Sequence, residues 1–325
     1  MDINITIKEL LIKLELGDLI EEPTRIMGGL LNKLYKVSTT KGIYAVKHLN
    51  PKLITNDSNK EHITLTEKIA SKAKENGLNC IPAMEFNNMS IQECNNSFFL
   101  IFEWFEGTNI SNSKISKEHV REVATILAQI HNIDFGELKH KCNKPNKDFE
   151  VNWNYYVDRV EMPTIKEFLL KYKDKLYEID KKSSIAVSKI KSEMVVSHKD
   201  LDILNVIWSY DFKPYIIDWE LAGLVNPCEE AIETAWNWSG GHEYYDATKF
   251  YYFLDTYKTN GGNLTDINKA IYSCFKNNSE WLEYNLKRSC GINCSDNEER
   301  QIGEKEAIRV IKKIIKFYEI MSKEF

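Results

Sequence analysis

The chain of 325 residues is 43% hydrophobic and 28% charged, a mixture that suits a globular protein and excludes a disordered one. That length exceeds an ordinary single domain and fits two packed lobes or one large one. Its 43 lysines and arginines against 48 aspartates and glutamates leave a formal charge of -5, without the basic excess of a nucleic-acid binder, so no nucleic-acid partner is expected.

In chain order, Thr6-Ile7-Lys8-Glu9 has the pattern of a capping box and predicts a helix opening there, with Ile7, Leu10, Leu11 and Leu14 on one face. This N-terminal stretch is amphipathic and acidic, unlike a secretory signal. Gly17 and Pro23 break it, and from Pro23 to Leu49 the period changes. Tyr35 and Val37 alternate with lysines and Ser38, and Ile43, Ala45 and Val46 continue with strand character. Lys41-Gly42 is a turn signal, so these read as hairpin-linked strands. Residues 59–76 lack Gly and Pro and end at Asn76-Gly77, the pattern of a helix with its C-cap. Ala83 to Phe86 and Phe98 to Trp104 read as further strands.

After Gly107 helices dominate. Lys117 to His131 carries Val120, Val123, Leu127 and Ile130 at helical spacing, and residues 163–192 and 298–325 read as long charged helices. Val195-Val196 and Tyr215-Ile216-Ile217 read as brief strands. The seven cysteines (Cys80, Cys94, Cys142, Cys228, Cys274, Cys290 and Cys294) are scattered. Only Cys290 and Cys294 are close, and no second pair completes a zinc site, so free thiols in a reducing compartment are expected. The longest apolar run, near Phe98 to Phe105, is interrupted by Glu103. No membrane span is expected, and the protein is read as cytoplasmic.

Chemistry concentrates in VVSHKDLDILNVIWSYDFKPYIIDWE, from Val195 to Glu220. This stretch holds His198-x-Asp200-x-x-x-x-Asn205, and Asp218 closes the apolar strand that follows. Phosphoryl transfer from a nucleotide needs such a set: one carboxylate facing the acceptor hydroxyl, and a carboxylate with an amide to hold magnesium on the phosphates. A chance motif, or an Asp218 that merely caps a turn, is the plainer reading of either part alone. Upstream, Gly28-Gly29 lies between two strand-like segments, and a strand then ends in Ala45-Val46-Lys47. That order suits a phosphate-covering turn followed by a lysine aimed at the phosphates. The ordered set carries the reading, and no single member does.

These segments resemble the aminoglycoside phosphotransferase family of the protein-kinase-like fold, which includes choline and homoserine kinases and spore-coat relatives. The resemblance covers nearly the whole chain, through IMGGLLNKLYKVSTTKGIYAVKHL, FLIFEWFEG, LAQIHNIDF, SHKDLDILNVIW and YIIDWELAGLVNP. It implies a bilobal α+β fold, with a small antiparallel-sheet lobe over residues 1–105 and a larger, mainly helical lobe over 106–325. It also implies a kinase of a small molecule that uses magnesium and either ATP or GTP. Asp200 then resembles the catalytic base, Asn205 and Asp218 the metal ligands, and Lys47 the lysine on the α- and β-phosphates. Gly28 and Gly29 resemble the turn over the phosphates, Glu103 and Phe105 the hinge whose main chain meets the purine, and His198 a residue that braces the loop. Phe102 resembles the residue behind the nucleotide, which leaves ATP against GTP open. Lys199 departs from the pattern, because these kinases usually carry glycine there.

Glu61 and Glu67 both lie beside the apolar stripe of the helix after the third strand, and periodicity does not separate them. The spacing to Asn76-Gly77 resembles the family better with Glu67, which is taken as the partner of Lys47. Acceptor recognition in the family falls to the helical lobe. Trp153, Tyr155, Tyr156, Glu229 and Glu230 are candidates there, and Glu233, Trp236 and Trp238 are singled out for a cationic acceptor held by ion pairing and cation–π contact. Glu230 also matches a family position that ties the catalytic loop to its following helix, and Trp236 falls at core spacing. The expected function is an aminoglycoside phosphotransferase that confers antibiotic resistance. The alternatives are a metabolic alcohol kinase of choline, homoserine or sugar type, and a non-catalytic spore-coat relative. The intact set of Lys47, Asp200, Asn205 and Asp218 argues against the last. A protein kinase is disfavoured, because no activation segment separates Asp218 from Pro227. The acceptor and the oligomeric state stay open.

Overall fold

Alternation between residues 24 and 103 becomes a five-stranded antiparallel sheet. The strands are β1 (Thr24–Ile26), β2 (Lys33–Thr39), β3 (Gly42–His48), β4 (Gln92–Cys94) and β5 (Ser97–Glu103), in the order β1-β2-β3-β5-β4. The computed structural model describes residues 2–26, 32–54, 56–143, 150–189, 194–292, 294 and 296–324, so the expected Gly28-Gly29 turn lies outside the described residues. Because side chains alternate across a strand, each face of the sheet has its own core. Tyr35, Val37, Tyr44, Val46, Phe99 and Ile101 pack with Ile7, Leu10 and Leu11 of helix α1 (Ile3–Lys13). Leu100 points the other way and packs with Leu49, Ile54 and Ala83, with Ile63 of helix α2 (Asp57–Glu75) against them.

Helix α1 opens earlier than Thr6-Ile7-Lys8-Glu9 suggests. Asp2 is its N-cap and accepts the Asn4 amide at 3.0 Å, whereas Thr6 lies inside the helix and donates its hydroxyl to the Asp2 carbonyl. Aspartate caps as well as threonine does, and the first cap in the chain wins. Helix α2 is capped by Asn56, which accepts the Asn59 amide, and it ends at Asn76 with Gly77 at φ +89°, a conformation glycine adopts without strain. Ala83 to Phe86 does not join the sheet as a strand. Met84 makes a single bond to the Ile101 carbonyl, and the chain then turns back through Asn87 and Asn88. The edge position goes instead to Gln92–Cys94, three residues too short to show a period.

The chain divides into two compact units. Unit 1 comprises residues 1–110, 133–142 and 198–223, and unit 2 comprises residues 111–132, 143–197 and 224–325. The boundary expected at residue 105 therefore does not separate His198–Gly223 from the sheet. The reason is local pairing. Cys80 bridges Ile216, Thr108 bridges Trp208, and the Asn109 amide donates to the carbonyls of Leu204 and Val206. Val206–Trp208 and Pro214–Ile216 form a hairpin in the same unit.

Unit 2 is built on the helices Lys117–Asn132, Trp153–Arg159, Pro163–Lys189, Pro227–Trp238, Ala247–Thr259, Ile267–Ser289 and Asn297–Glu324. Pro227 at the first turn, after an Asn226 cap that accepts from Cys228 and Glu229, sets the start of its helix. Trp153, Trp236, Trp238, Phe250, Phe253 and Phe275 are fully buried. All seven cysteines are free thiols, with Cys80, Cys142, Cys228 and Cys274 buried. Among the described residues no helix is long and apolar enough to cross a membrane.

Gly107 follows the β5 strand at the point where the chain meets the Val206–Trp208 strand. A Cβ there would stand 2.5 Å from Ile207 Cγ2 and 2.7 Å from the Trp208 carbonyl oxygen. Gly107→Ala should therefore destabilise the protein by about 1–3 kcal/mol, as over-packing does. Chemical denaturation is the measure, and an unchanged midpoint would contradict the close approach.

Candidate active site

The residues picked out for phosphoryl transfer meet within unit 1. Lys47 sits on β3, in register with Leu34 of β2 and Leu100 of β5, and only 9% of its surface is exposed. Its Nζ lies 2.7 Å from Asp218 Oδ1 and 3.4 Å from Glu220 Oε2. Burial works against the ammonium charge, but the carboxylates of Asp218 and Glu220 outweigh it and hold the group above the usual lysine value. Burial likewise works against the Asp218 carboxylate, and the Lys47 charge outweighs it to keep the pKa below the usual value. The Phe102 ring lies 5.8 Å from the same ammonium.

Asp200, Asn205 and Asp218 are positioned by the loop that the hairpin closes. The Asn205 side-chain amide donates to the Asp200 carbonyl at 2.8 Å and to Asp200 Oδ2 at 2.9 Å. With that nitrogen committed, the amide oxygen is the atom left for a cation. His198 is fully buried; its Nε2 donates to the Ile217 carbonyl at 3.0 Å, and its Nδ1 accepts the Asp200 amide at 3.2 Å. The Ile217 amide in turn donates to the Asn205 carbonyl. His198 thus ties the segment before Asp200 to the segment before Asp218. Lys199 and Asp218 both adopt left-handed backbone, at φ +67° and +62°. Glycine takes that conformation freely, which is a physical reason for glycine to stand where this chain has Lys199.

Glu67 is buried and Glu61 is exposed. Glu67 does not form the ion pair expected with Lys47, whose ion-pair partners are Asp218 and Glu220. Its Oε2 accepts the Ala83 amide at 2.7 Å instead, and it acts on Lys47 only as a nearby charge. Glu103 pairs with Tyr44 at the end of β5, the Trp104 amide donates to the Ile43 carbonyl, and the Phe105 ring packs against Tyr215, tilted by 31° with centroids 3.9 Å apart. Those contacts fix the backbone of residues 103–105, where the hinge was expected.

In unit 2 the acceptor candidates are mostly engaged with their own unit. Trp236 is buried against Tyr245 and Phe317, and Trp238 is fully buried, so neither presents a ring face as expected. The helix that carries them is buried almost all round, which accords with the core spacing of Trp236. Glu233 keeps partial exposure and pairs with Lys313 at 3.0 Å and Asn278 at 3.2 Å. Glu229 is buried and accepts from Ser273 and Asn277; burial pushes its carboxyl up to about 6. Glu230 lies 2.9 Å from His131 Nε2. Trp153 Nε1 donates to Asp180, and the Tyr156 hydroxyl to Glu283. The Tyr155 ring lies 3.8 Å from the Arg159 guanidinium carbon.

Two site residues escaped the sequence reading, Glu220 and Asn32. Glu220 accepts from Lys47 and, at 2.8 Å, from the Asn32 side-chain amide. The signal for Glu220 was its place two residues after Asp218. Asn32 had none, since 188 positions separate it from its partner. The side chains of Asp218, Glu220 and Asn205 offer oxygen donors, the kind a hard cation such as magnesium takes. No group of three or more His, Cys, Asp or Glu side chains forms a metal cluster among the described residues.

Burial pushes the Glu67 carboxyl up to about 7, against the opposing Ala83 bond and Lys47 charge. A carboxyl with a raised folded pKa stabilises the fold only while protonated, so its contribution is lost as pH rises from its ordinary value through about 7. Glu67→Gln keeps the acceptor for Ala83 and removes the titration. The thermal midpoint of the parent should fall more steeply between pH 5 and 8 than that of the variant, on the order of the window this shift opens. Parallel curves would refute the assignment.

No curated protein matches the chain in sequence. Among solved structures, the spectinomycin phosphotransferase APH(9)-Ia, solved with ADP and spectinomycin, superposes with a TM-score of 0.70 at 16% identity, over 95% of this chain and 98% of that one. A choline kinase, LicA, from Streptococcus pneumoniae gives 0.61 at 16% identity, over 95% and 98%. An ethanolamine kinase from Plasmodium vivax gives 0.55 at 19% identity, over 89% and 81%. At these identities the likeness establishes the fold, which is the α+β protein-kinase-like one. The phosphotransferase enzyme family, APH, matches residues 22–260, and by that match the chain belongs to this family.

Proposed function

We propose that the protein transfers the γ-phosphoryl group of ATP or GTP to a hydroxyl of a small molecule, with an aminoglycoside as the preferred acceptor. The observation that carries this reading is the meeting of Lys47, Asp218, Asn205 and Asp200 in one unit, tied by hydrogen bonds. In the proposed reaction Asp200 orients the acceptor hydroxyl and takes its proton. The acceptor oxygen forms a bond to the γ-phosphorus as the bond to the bridging oxygen breaks, and the nucleoside diphosphate leaves with that electron pair. Asn205, by donating to Asp200 Oδ2, holds the base in place. Lys47 exchanges part of its contact with Asp218 for phosphate oxygens. Magnesium, held by Asp218 and Asn205 with Glu220 beside them, would supply charge neutralisation on the phosphates. Positioning and electrostatics carry most of such a reaction.

Family membership and the likeness to a spectinomycin phosphotransferase support the antibiotic acceptor. Likeness to choline and ethanolamine kinases supports a second reading, an amino-alcohol kinase. Both acceptor classes are cationic, which suits a chain with a net charge of -5. A place in the cytoplasm, where nucleotide triphosphates are made, goes with either reading.

Asp200→Ala should cut turnover by roughly 10²-fold or more while nucleotide affinity survives. Asp218→Asn should weaken magnesium-dependent nucleotide binding, because a neutral amide replaces an anionic ligand. Calorimetry and turnover assays separate the two, and parent-like behaviour in both variants would move the site elsewhere.

A nucleotide-consumption screen identifies the acceptor. Aminoglycosides should stimulate turnover, and their binding should weaken as salt rises, over a Debye length of about 8 Å at physiological ionic strength. Stimulation by choline, ethanolamine or a neutral sugar alone would overturn the aminoglycoside assignment and leave the kinase reading intact.

A further inference from the structure

Glu220 draws together segments that are far apart in the chain. Its carboxylate accepts from Lys47 on β3 and from Asn32 at the foot of β2, and its backbone bonds to the Asp218 carboxylate and to the His62 ring on α2. Asn32 divides its side-chain amide between two duties. Its Oδ1 accepts the Asn50 amide at 2.9 Å, and its Nδ2 donates to Glu220 Oε2 at 2.8 Å. All of these residues belong to unit 1.

Two carboxylates share one ammonium here, so they repel each other while both are drawn to Lys47. A carboxylate in that position turns away from its like-charged neighbour unless a donor holds it from the other side. Asn32 is a donor in that place. It also stands at the end of the segment that begins with Gly28-Gly29, and Glu220 stands two residues after Asp218.

We propose that Asn32 is a positioning residue for nucleotide binding, acting through Glu220. By donating to that carboxylate it keeps Glu220 turned toward Lys47 and Asp218, and it joins the start of β2 to the loop that carries the carboxylates. The proposal rests on the kinase reading above and deepens it.

Asn32→Asp separates the two duties of the side chain. The carboxylate keeps an acceptor for Asn50 but replaces the donor to Glu220 with a negative charge. A role confined to bracing Asn50 would leave this variant silent. Calorimetric titration with ATP and with GTP, with and without magnesium, is run on the parent, Asn32→Asp, Glu220→Gln and the double variant, beside thermal unfolding. Asn32→Asp should weaken magnesium-nucleotide binding by about tenfold or more, the scale of a lost hydrogen bond to a charged group, with the unfolding midpoint little changed. In the Glu220→Gln background the same substitution should cost much less, since the repulsion is gone and the glutamine amide donates in its turn. The two effects are then non-additive. Parent-like affinity in Asn32→Asp, or strictly additive losses, would overturn the proposal. Should Asn32→Asp fail to fold, Asn32→Ala takes its place in the same cycle, with the same non-additivity expected and the same additive result overturning it. A parent that binds neither nucleotide overturns the kinase reading, and this proposal with it.

Discussion

A buried ammonium needs counter-charge, and Lys47 receives it from Asp218 and Glu220 across 171 and 173 positions of chain. Leaving such a charge unpaired costs several kcal/mol, far more than a surface ion pair returns. The contact therefore constrains much else in unit 1. β3 must lie beside the loop after Ile217, and that loop is held in turn by His198 and Asn205. The pairing of Cys80 with Ile216 and of Thr108 with Trp208 serves the same end, binding residues 198–223 to the sheet. The compact unit consequently contains the whole set of phosphate and metal candidates.

Unit 2 handles buried charge differently. Asp180 is satisfied by Trp153 Nε1 and the Ser279 hydroxyl, and Glu229 by Ser273 and Asn277, all of them neutral donors. Burial pushes both carboxyls up to about 6, against those hydrogen bonds and, at Glu229, against the Lys276 charge. These acids therefore resemble fixed polar joints between helices. Glu233, by contrast, has the Lys313 ammonium beside it and keeps part of its surface open.

The sequence reveals what is periodic or closely spaced. The strands around Tyr35, Val37 and Val46 follow from alternation, the helix at Lys117–Asn132 follows from its apolar spacing, and the Asp200–Asn205 pair follows from five residues of separation. Long-range pairing leaves no such trace. Nothing local marks Asn32 as a neighbour of Glu220, or separates Glu67 at the Ala83 amide from a glutamate at Lys47. Trp236 and Trp238 were misread for a different reason. A helix with both faces buried has no polar side against which an exposed aromatic would stand out. At α1 the error was one of competition, since two capping signals lie four residues apart and the earlier one prevailed.

Lys199 and Asp218 share left-handed backbone on either side of the hairpin. For an L-residue with a side chain this conformation costs about 1–2 kcal/mol at each position. The intrinsic preference of residues 198–218 therefore opposes the shape they adopt, and the surrounding strands impose it. Cut free as a peptide, this segment would relax into ordinary backbone. Asp200 would lose its relation to the histidine and asparagine that frame it, and the motif that is most legible in the sequence would be inert without the fold around it.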